Sequence, residues 1–558
     1  MHLLHKLKIN KMKKNFKKKS IVVVLIAVVF VSFSFQSKFF EVAKQIEIYT
    51  TLFKELNMYY VNEINPAELT TRALKNTLKD LDPYTNYFDE QDVEAAKIRR
   101  EGEYGGIGAS INYNNKLPLI VSVKKGYSAD KAGLKPGDVI TKIDNQNLEN
   151  FEGNDGSSLL LGIPDTSVSI EVNRNGKTLQ FNLKREKIEI NPVPFYKKID
   201  AETGYIVLTR FNAKAASEVK KAFEKLKEEG IKSLVLDLRS NPGGLLGEAV
   251  NISNFFLPKG KVITSTKAKV KKWSNTYLSR NNPLDLEIPI VVLINGSSAS
   301  ASEIVTGALQ DYDRAVVMGK RSFGKGLVQR FRTLSYGTQL KVTISKYYTP
   351  SGRCIQELDY ANRDLKTGKV PKFSDGGINE FTTQNGRKVF DGGGIIPDIT
   401  TEKEVISETT EKLIGSKALF NFAVDFRNKK KTIAAAKDFE FTDANFKQFQ
   451  TFLKTDNSFV TKEEASFKKA YKMLNTSQNK KVRKEYSRLI NTLRTDKINA
   501  LSSNKEFIKN ELKDIILDQF YYEEGIYQSK IASDKTVLEA VKLLKNKTKY
   551  NQILAGNK

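Results

Sequence analysis

Histidine is nearly missing from this chain of 558 residues: there are two, His2 and His5, both ahead of an apolar run near the amino terminus. Without histidine in a folded domain, no Ser-His-Asp triad can be assembled. Cysteine occurs once, as Cys354. A single thiol excludes an intrachain disulfide, and with no histidine beside it a Cys-His nucleophile pair is excluded too. Acids are short relative to bases, with 64 Asp and Glu against 91 Lys and Arg, for a formal charge of +27. Eight of the lysines fall between Lys6 and Lys19 with no acid among them, and the rest interleave with glutamate along helical stretches. Nucleic-acid motifs and an arginine-rich groove are both absent. The excess therefore reads as a solvated basic surface, with no nucleic-acid partner.

What the chain does contain is a strand-turn-helix pattern over residues 288–311. The β-branched run 288–294 reads as a buried strand, Asn295-Gly296 ends it, and Ser297 to Ser302 is a cluster of small residues. From Glu303 onward, Ile304, Val305, Ala308 and Leu309 recur at helical spacing. Such a bend presents a serine beside free helix N–H groups, which suits an acyl-transfer nucleophile with oxyanion donors next door. With no histidine available, the remaining base at neutral pH is a lysine whose pKa burial lowers. Lys325 is the best placed, in Phe323-Gly324-Lys325-Gly326-Leu327, where Phe323 and Leu327 can shield the amine from water. Ser322 and Lys325 also have the Ser-x-x-Lys spacing of penicillin-binding enzymes. That reading lacks a Ser-Asp-Asn motif, and its Lys366-Thr367-Gly368 lies outside any strand pattern.

Taken residue by residue, Ser298-Ala299-Ser300-Ala301-Ser302-Glu303-Ile304 and the Phe-Gly-Lys-Gly loop resemble the serine/lysine C-terminal processing peptidases, or tail-specific proteases. The resemblance puts the nucleophile on Ser300, with Ser298 and Ser302 as turn and cap residues. It puts the general base on Lys325 and an amine-orienting glutamine on Gln329, one helical turn further on. Asp311, in Gln310-Asp311-Tyr312, becomes a supporting residue. Asp237-Leu238-Arg239-Ser240-Asn241-Pro242-Gly243-Gly244 is similar to the family's oxyanion turn, which assigns donors to Gly243 or Gly244 and to the N–H of Ala301. Leu81-Asp82-Pro83-Tyr84 resembles a segment that carries histidine where Tyr84 stands here, so that position holds no catalytic histidine. Residues 347–352 and 392–398 match two further family segments.

The implied fold is multidomain α/β: a crotonase/ClpP-like protease core with an inserted PDZ domain, an N-terminal helical segment and a C-terminal α-helical extension. The expected division is a signal peptide or membrane anchor at 1–37, helices at 38–100, a PDZ domain at 101–187, the peptidase core at 188–400 and a helical region at 401–558. Ser20 to Phe35 is apolar behind the lysine run, the pattern of an exported protein. Its length is short for a membrane span, and no Ala-x-Ala site is present, so cleaved signal and retained anchor both stand. Positive-inside logic places everything after Gln36 in the envelope or periplasm, attached to the membrane if the segment is uncleaved. Val42, Ile46, Tyr49, Leu52, Phe53, Leu56 and Tyr60 form one apolar stripe suited to packing. Gly105, Gly106, Ile107 and Gly108 resemble the carboxylate-binding loop of a PDZ domain, and residues 128–140 match its second hallmark. Successive N–H groups there hold a terminal carboxylate while the next strand adds the peptide to the sheet. Strand-like residues 204–211, 233–239, 261–266 and 288–294 alternate with helices, an α/β pattern. The helical region reads as structural support. Expected partners are proteins or peptides with exposed C-terminal tails, and a homo-oligomer or an adaptor protein stands open beside them. The mechanism calls for no metal and no cofactor. A catalytically inactive PDZ scaffold is the alternative, opposed by the intact Phe-Gly-Lys-Gly setting.

Overall fold

The computed structural model describes residues 39–114, 117–150, 156–401, 405–473 and 480–556. The signal or anchor expected at 1–37 lies outside the described residues. Among them, no helix is long and apolar enough to cross a membrane.

The chain divides into two units after Asp80. The first holds a helix at 39–59 and a second at Pro66–Leu78. The second helix starts where it does because Asn65 accepts the N–H groups of Ala67 and Glu68, with proline at the first helical position. Of the apolar stripe, Val42, Ile46, Tyr49, Leu52 and Tyr60 are exposed. Period alone predicted the helix and its face, and it carries no information about a partner for that face.

The second unit begins with a correction to the all-helical reading of 38–100. Asp82 Oδ1 accepts the N–H groups of both Tyr84 and Thr85 at 2.8 Å, an Asx turn reinforced by Pro83. The chain then runs straight into the strand Asn86–Phe88, which pairs antiparallel with Gln339–Tyr348.

The α/β core is built on a six-stranded sheet. Phe195–Lys198 pairs antiparallel with Thr203–Val207, and Ser233–Asp237, Ile290–Ile294, Val316–Gly319 and Ile399–Thr400 follow in parallel. Side chains alternate between its faces. Leu234, Leu236, Val292 and Ile294 pack toward Val219, Phe223, Ile252, Val305 and Leu309, on helices Ala215–Glu228, Leu246–Asn254 and Ala301–Asp311. Val235, Val291, Leu293 and Met318 point the other way, against Val537, Ala540, Leu543 and Tyr550. The last two helices, Lys535–Lys545 and Lys547–Leu554, thus cover the second face. The strand Val262–Ala268 leaves the expected α/β alternation and joins a second sheet, antiparallel to Thr276–Leu278 and to Gln339–Tyr348.

Tyr550 shows how the terminal helix is fastened. Its hydroxyl accepts from Ile290 N at 2.9 Å and donates to Ile290 O at 3.0 Å, all buried. Tyr550→Phe leaves the buried Ile290 N–H without its Tyr550 partner, at a cost of about 1–3 kcal/mol. Denaturant unfolding of the variant should show that loss; an unchanged midpoint would mean the bonds contribute nothing.

Residues 103–189 form a separate β-rich domain. Its main sheet runs, in order, Ala109–Asn114, Leu117–Val123, Val139–Ile143, Ser167–Arg174 and Lys177–Lys184, around a core of Ile120, Ile140, Ile170 and Val172. Residues 405–473 and 480–533 are mostly helical, around a second aromatic-rich core that includes Phe422, Phe426, Phe449 and Leu512. This helical body touches the β-rich domain, where Tyr522 Oη donates to Asp130 Oδ1 at 2.7 Å.

Candidate active site

Two strand-to-helix turns meet at the carboxyl edge of the parallel sheet. The first follows Ser233–Asp237. Asp237 is buried, and against the cost of that burial its carboxylate is held below its usual range by Arg239, which contacts it through Nε and Nη2, and by Tyr205 Oη. Arg239 Nη1 also reaches Asp534 Oδ2 at 2.7 Å, and Asp534 caps the helix Lys535–Lys545. The far carboxyl-terminal helix is therefore tied directly to the turn that contains Gly243 and Gly244.

The second turn carries the serines. Ser298 Oγ donates to Leu238 O and Ser302 Oγ to Asn241 O, both fully buried. These hydroxyls stitch one turn to the other. The Ser300 hydroxyl donates to no described residue. Ser300 itself has φ 55° and ψ −111°, a conformation that costs a non-glycine residue on the order of 1–3 kcal/mol and recurs at nucleophiles on sharp turns. Tyr347 Oη holds the strained residue by donating to Ser300 O at 3.1 Å.

Gly243 comes so close that a side chain there would meet Ala301 N and Ser300 Cβ at 2.8 Å. Its φ of 94° also favours glycine. The Gly243 N–H donates to Asn241 Oδ1 at 2.9 Å. Gly244 N–H and Ala301 N–H have no hydrogen-bond partner among the described residues.

Glu303 is the residue that the sequence reading passed over. It is 1% exposed, and its carboxylate accepts from four donors. Ser300 N lies at 2.7 Å and Lys325 N at 3.0 Å from Oε2, while Ser322 Oγ at 2.6 Å and Gly324 N at 2.7 Å reach Oε1. The main chains of Ser300 and Lys325 thus meet on a single oxygen atom. Burial pushes the Glu303 carboxyl upward, against the four donors. The Ser-x-x-Glu spacing of a capping box was the available signal for it. Ser322, the nucleophile of the rejected Ser-x-x-Lys reading, gives its hydroxyl to Glu303 and accepts from Ile395 N.

Lys325 has its pKa lowered to about 8, first by burial and then by the Lys341 charge, with Glu303 and Asp82 opposing. The expected shield is corrected in part. Leu327 is buried, but Phe323 is 46% exposed, and the ring facing the amine is Tyr84, 4.4 Å from Nζ to centroid. Gln329 lies on the strand Leu327–Thr333 and not a helical turn away. Its Nε2 donates to Thr343 Oγ1, which donates to Asp82 Oδ1, each at 3.2 Å. Asp311 sits at the opposite end of the helix Ala301–Asp311 from Ser300, where it is ion-paired to buried Arg353 at 2.6 Å and accepts Ser351 N. It anchors the turn at 349–353, at the end of the helix away from Ser300. No group of side chains among the described residues is arranged to hold a metal ion.

In the β-rich domain, Gly105 lies against Gly162, whose carbonyl a side chain would strike, and Gly108 has φ 78°. The N–H groups of Ile107 and Gly108 have no hydrogen-bond partner among the described residues. The strand that follows, Ala109–Asn114, is the end strand of its sheet.

Family models match three parts of the chain: peptidase family S41 at residues 202–364, a PDZ domain at 105–184, and "Probable PDZ-protease, C-terminal helical domain" at 409–544. A carboxy-terminal-processing protease of Bartonella bacilliformis is 35% identical over 319 residues, 56% of this chain and 73% of the relative. The chain belongs to the carboxy-terminal-processing proteases. Its relatives also include a "Probable CtpA-like serine protease" of Staphylococcus aureus, 36% identical over 54% of this chain and 61% of that protein. A solved photosystem II D1 C-terminal processing protease is 27% identical, with 64% of this chain and 92% of that one covered and a TM-score of 0.35. This carboxy-terminal-processing protease is thus a serine-type peptidase with a PDZ domain, an α/β core and a helical carboxyl-terminal extension.

Proposed function

We propose that this protease cuts proteins near their carboxyl termini with a Ser300–Lys325 dyad. Ser300 Oγ attacks the scissile carbonyl carbon while the neutral Lys325 amine takes the hydroxyl proton. The carbonyl π pair moves onto oxygen, where Ala301 N–H and the N–H of Gly244, or of Gly243 once freed from Asn241, meet the negative charge. Collapse breaks the C–N bond as Lys325 returns its proton to the leaving amine. Water activated by the same lysine then releases the acyl group from Ser300. Gln329, through Thr343 and Asp82, steadies the surroundings of the amine, and Asp311 braces the nucleophile helix from behind.

One observation supports this reading most: a single Glu303 oxygen gathers the main chains of the strained serine and of a lysine whose pKa is about 8. The test is incubation of the purified protein with a tailed model protein, with cut positions read by mass spectrometry. Cuts confined to the tail region and absent with Ser300→Ala bear the proposal out; identical cuts from that variant would reject it.

In this reading the tail is bound by the PDZ domain. Its carboxylate meets the Ile107 and Gly108 N–H groups, with Gly105 and Gly106 shaping the loop, and its backbone adds to Ala109–Asn114. A peptide ending in a carboxamide should bind at least roughly tenfold more weakly than the free acid, since one charge-assisted contact is lost. Equal affinities by calorimetry would remove the loop from tail binding. The lysine run and apolar segment at the amino terminus support a location outside the cytoplasm, in the envelope.

A further inference from the structure

We propose that Tyr84 is a positioning residue for Lys325: its ring is the face on which the amine rests and which keeps water from one side of it. The inference rests on the dyad reading above and concerns the geometry of the same lysine. Nζ stands 4.4 Å from the ring centroid, well inside the roughly 6 Å over which a cation is drawn to a π face. Burial pushes the Tyr84 phenol far above its ordinary range. It therefore stays protonated and acts through its ring, not as a base.

The ring is held in place from several sides. Asp82 accepts the N–H groups of Tyr84 and Thr85 and the Thr85 hydroxyl. Thr343 N donates to Thr85 Oγ1, and Thr343 Oγ1 donates to Asp82. Tyr360 packs edge-on against the ring at 6.2 Å and 88°. The turn is thereby pinned to the strand Gln339–Tyr348, the strand that also supplies the Tyr347 hydroxyl to Ser300 O. Nucleophile and amine rest are thus referred to one piece of backbone.

The groups that act on the amine come from three elements. Lys341, on the strand, drives the proton off. Glu303, on the nucleophile helix, and Asp82, on the turn, favour keeping it, and burial outweighs both. Tyr84 adds two influences of opposite sign. Its π face favours the ammonium, while its exclusion of water favours the neutral amine. Once deprotonated, the amine has little left to gain from the ring and is free to turn toward the hydroxyl.

These two influences separate by substitution. The readout is the pH midpoint for reductive methylation of Lys325, followed by mass spectrometry in the full chain carrying Ser300→Ala, alongside the pH dependence of kcat/KM in otherwise active enzyme. Tyr84→Phe keeps ring and cover, and the midpoint stays near 8. Tyr84→Leu keeps an apolar cover without a π face, and the midpoint falls by about half a pH unit to one unit. Tyr84→Ala admits water, and the midpoint rises by a similar amount. A common midpoint in all three would overturn the proposal. So would a shift in the Phe variant equal to that in the Leu variant, which would assign the effect to the hydroxyl. Undiminished proteolysis by Lys325→Ala would instead refute the dyad, and the methylation series, which needs no turnover, distinguishes the two failures.

Discussion

Ser300→Ala abolishes proteolysis of a tailed substrate, and Lys325→Ala does the same, each with a fall in kcat/KM on the order of 10⁴-fold or more. The two losses are not additive. Either change removes the proton transfer that the other residue needs, so the double variant is no worse than the single ones. Both side chains are half-buried on a scaffold whose main-chain bonds to Glu303 survive truncation beyond Cβ. Unfolding midpoints should therefore stay close to that of the parent. Ser300 is strained at φ 55°, and alanine inherits that strain without the hydroxyl.

The pH dependence follows from the lysine alone. Its folded-state pKa is depressed to about 8, and the reacting form is the neutral amine. Activity climbs about tenfold per pH unit below that value and levels off above it. Lys325→Arg cannot follow this profile, because a guanidinium keeps its proton throughout the range. A parent enzyme whose rate is flat between pH 6 and 9, or a Lys325→Arg variant that retains activity, would take the base away from Lys325.

How far these assignments were legible in the sequence depended on the range over which each is decided. The serine turn and the Asp237–Gly244 turn are local strand-to-helix bends, and their residue order is enough to locate them. Ser300 emerges from its cluster because Ser298 and Ser302 are consumed by bonds to Leu238 O and Asn241 O, a pairing between turns some sixty residues apart. The cover over Lys325 was sought among its chain neighbours, yet it comes from Tyr84. Gln329, which the resemblance puts one helical turn past Lys325, lies instead on a strand, and the apolar pattern across 327–333 is too short to distinguish helix from strand. The helix Lys535–Lys545 shows a clear amphipathic face, but only the tertiary fold says that this face covers Val235, Val291 and Leu293. Amphipathicity names a buried side and leaves its partner unstated.

Glu303→Gln is the substitution that should damage both stability and catalysis. An ionised carboxylate only accepts, and it meets four donors here: three main-chain N–H groups and the Ser322 hydroxyl. Glutamine replaces one acceptor oxygen with an NH₂ group, which faces donors. On either orientation of the amide at least one buried N–H is left without a partner, at about 1–3 kcal/mol, and the dyad's shared anchor is broken. Activity falls by roughly 100-fold or more, as for other losses of positioning around a reacting pair. The pH profile separates this cause from a loss of basicity. Glu303 raises the pKa of Lys325, so its removal moves the midpoint of the residual activity below 8 and leaves more neutral amine at pH 7 than in the parent. A slower enzyme with a more readily deprotonated lysine has lost geometry and not its base. Glu303→Asp, which restores the charge on a shorter side chain, should bring the midpoint back toward 8 while recovering only part of the rate. If the glutamine variant matched the parent in both melting temperature and kcat/KM, the carboxylate would be an ordinary helix cap, and the coupling between the serine turn and the Lys325 loop would have to be sought elsewhere.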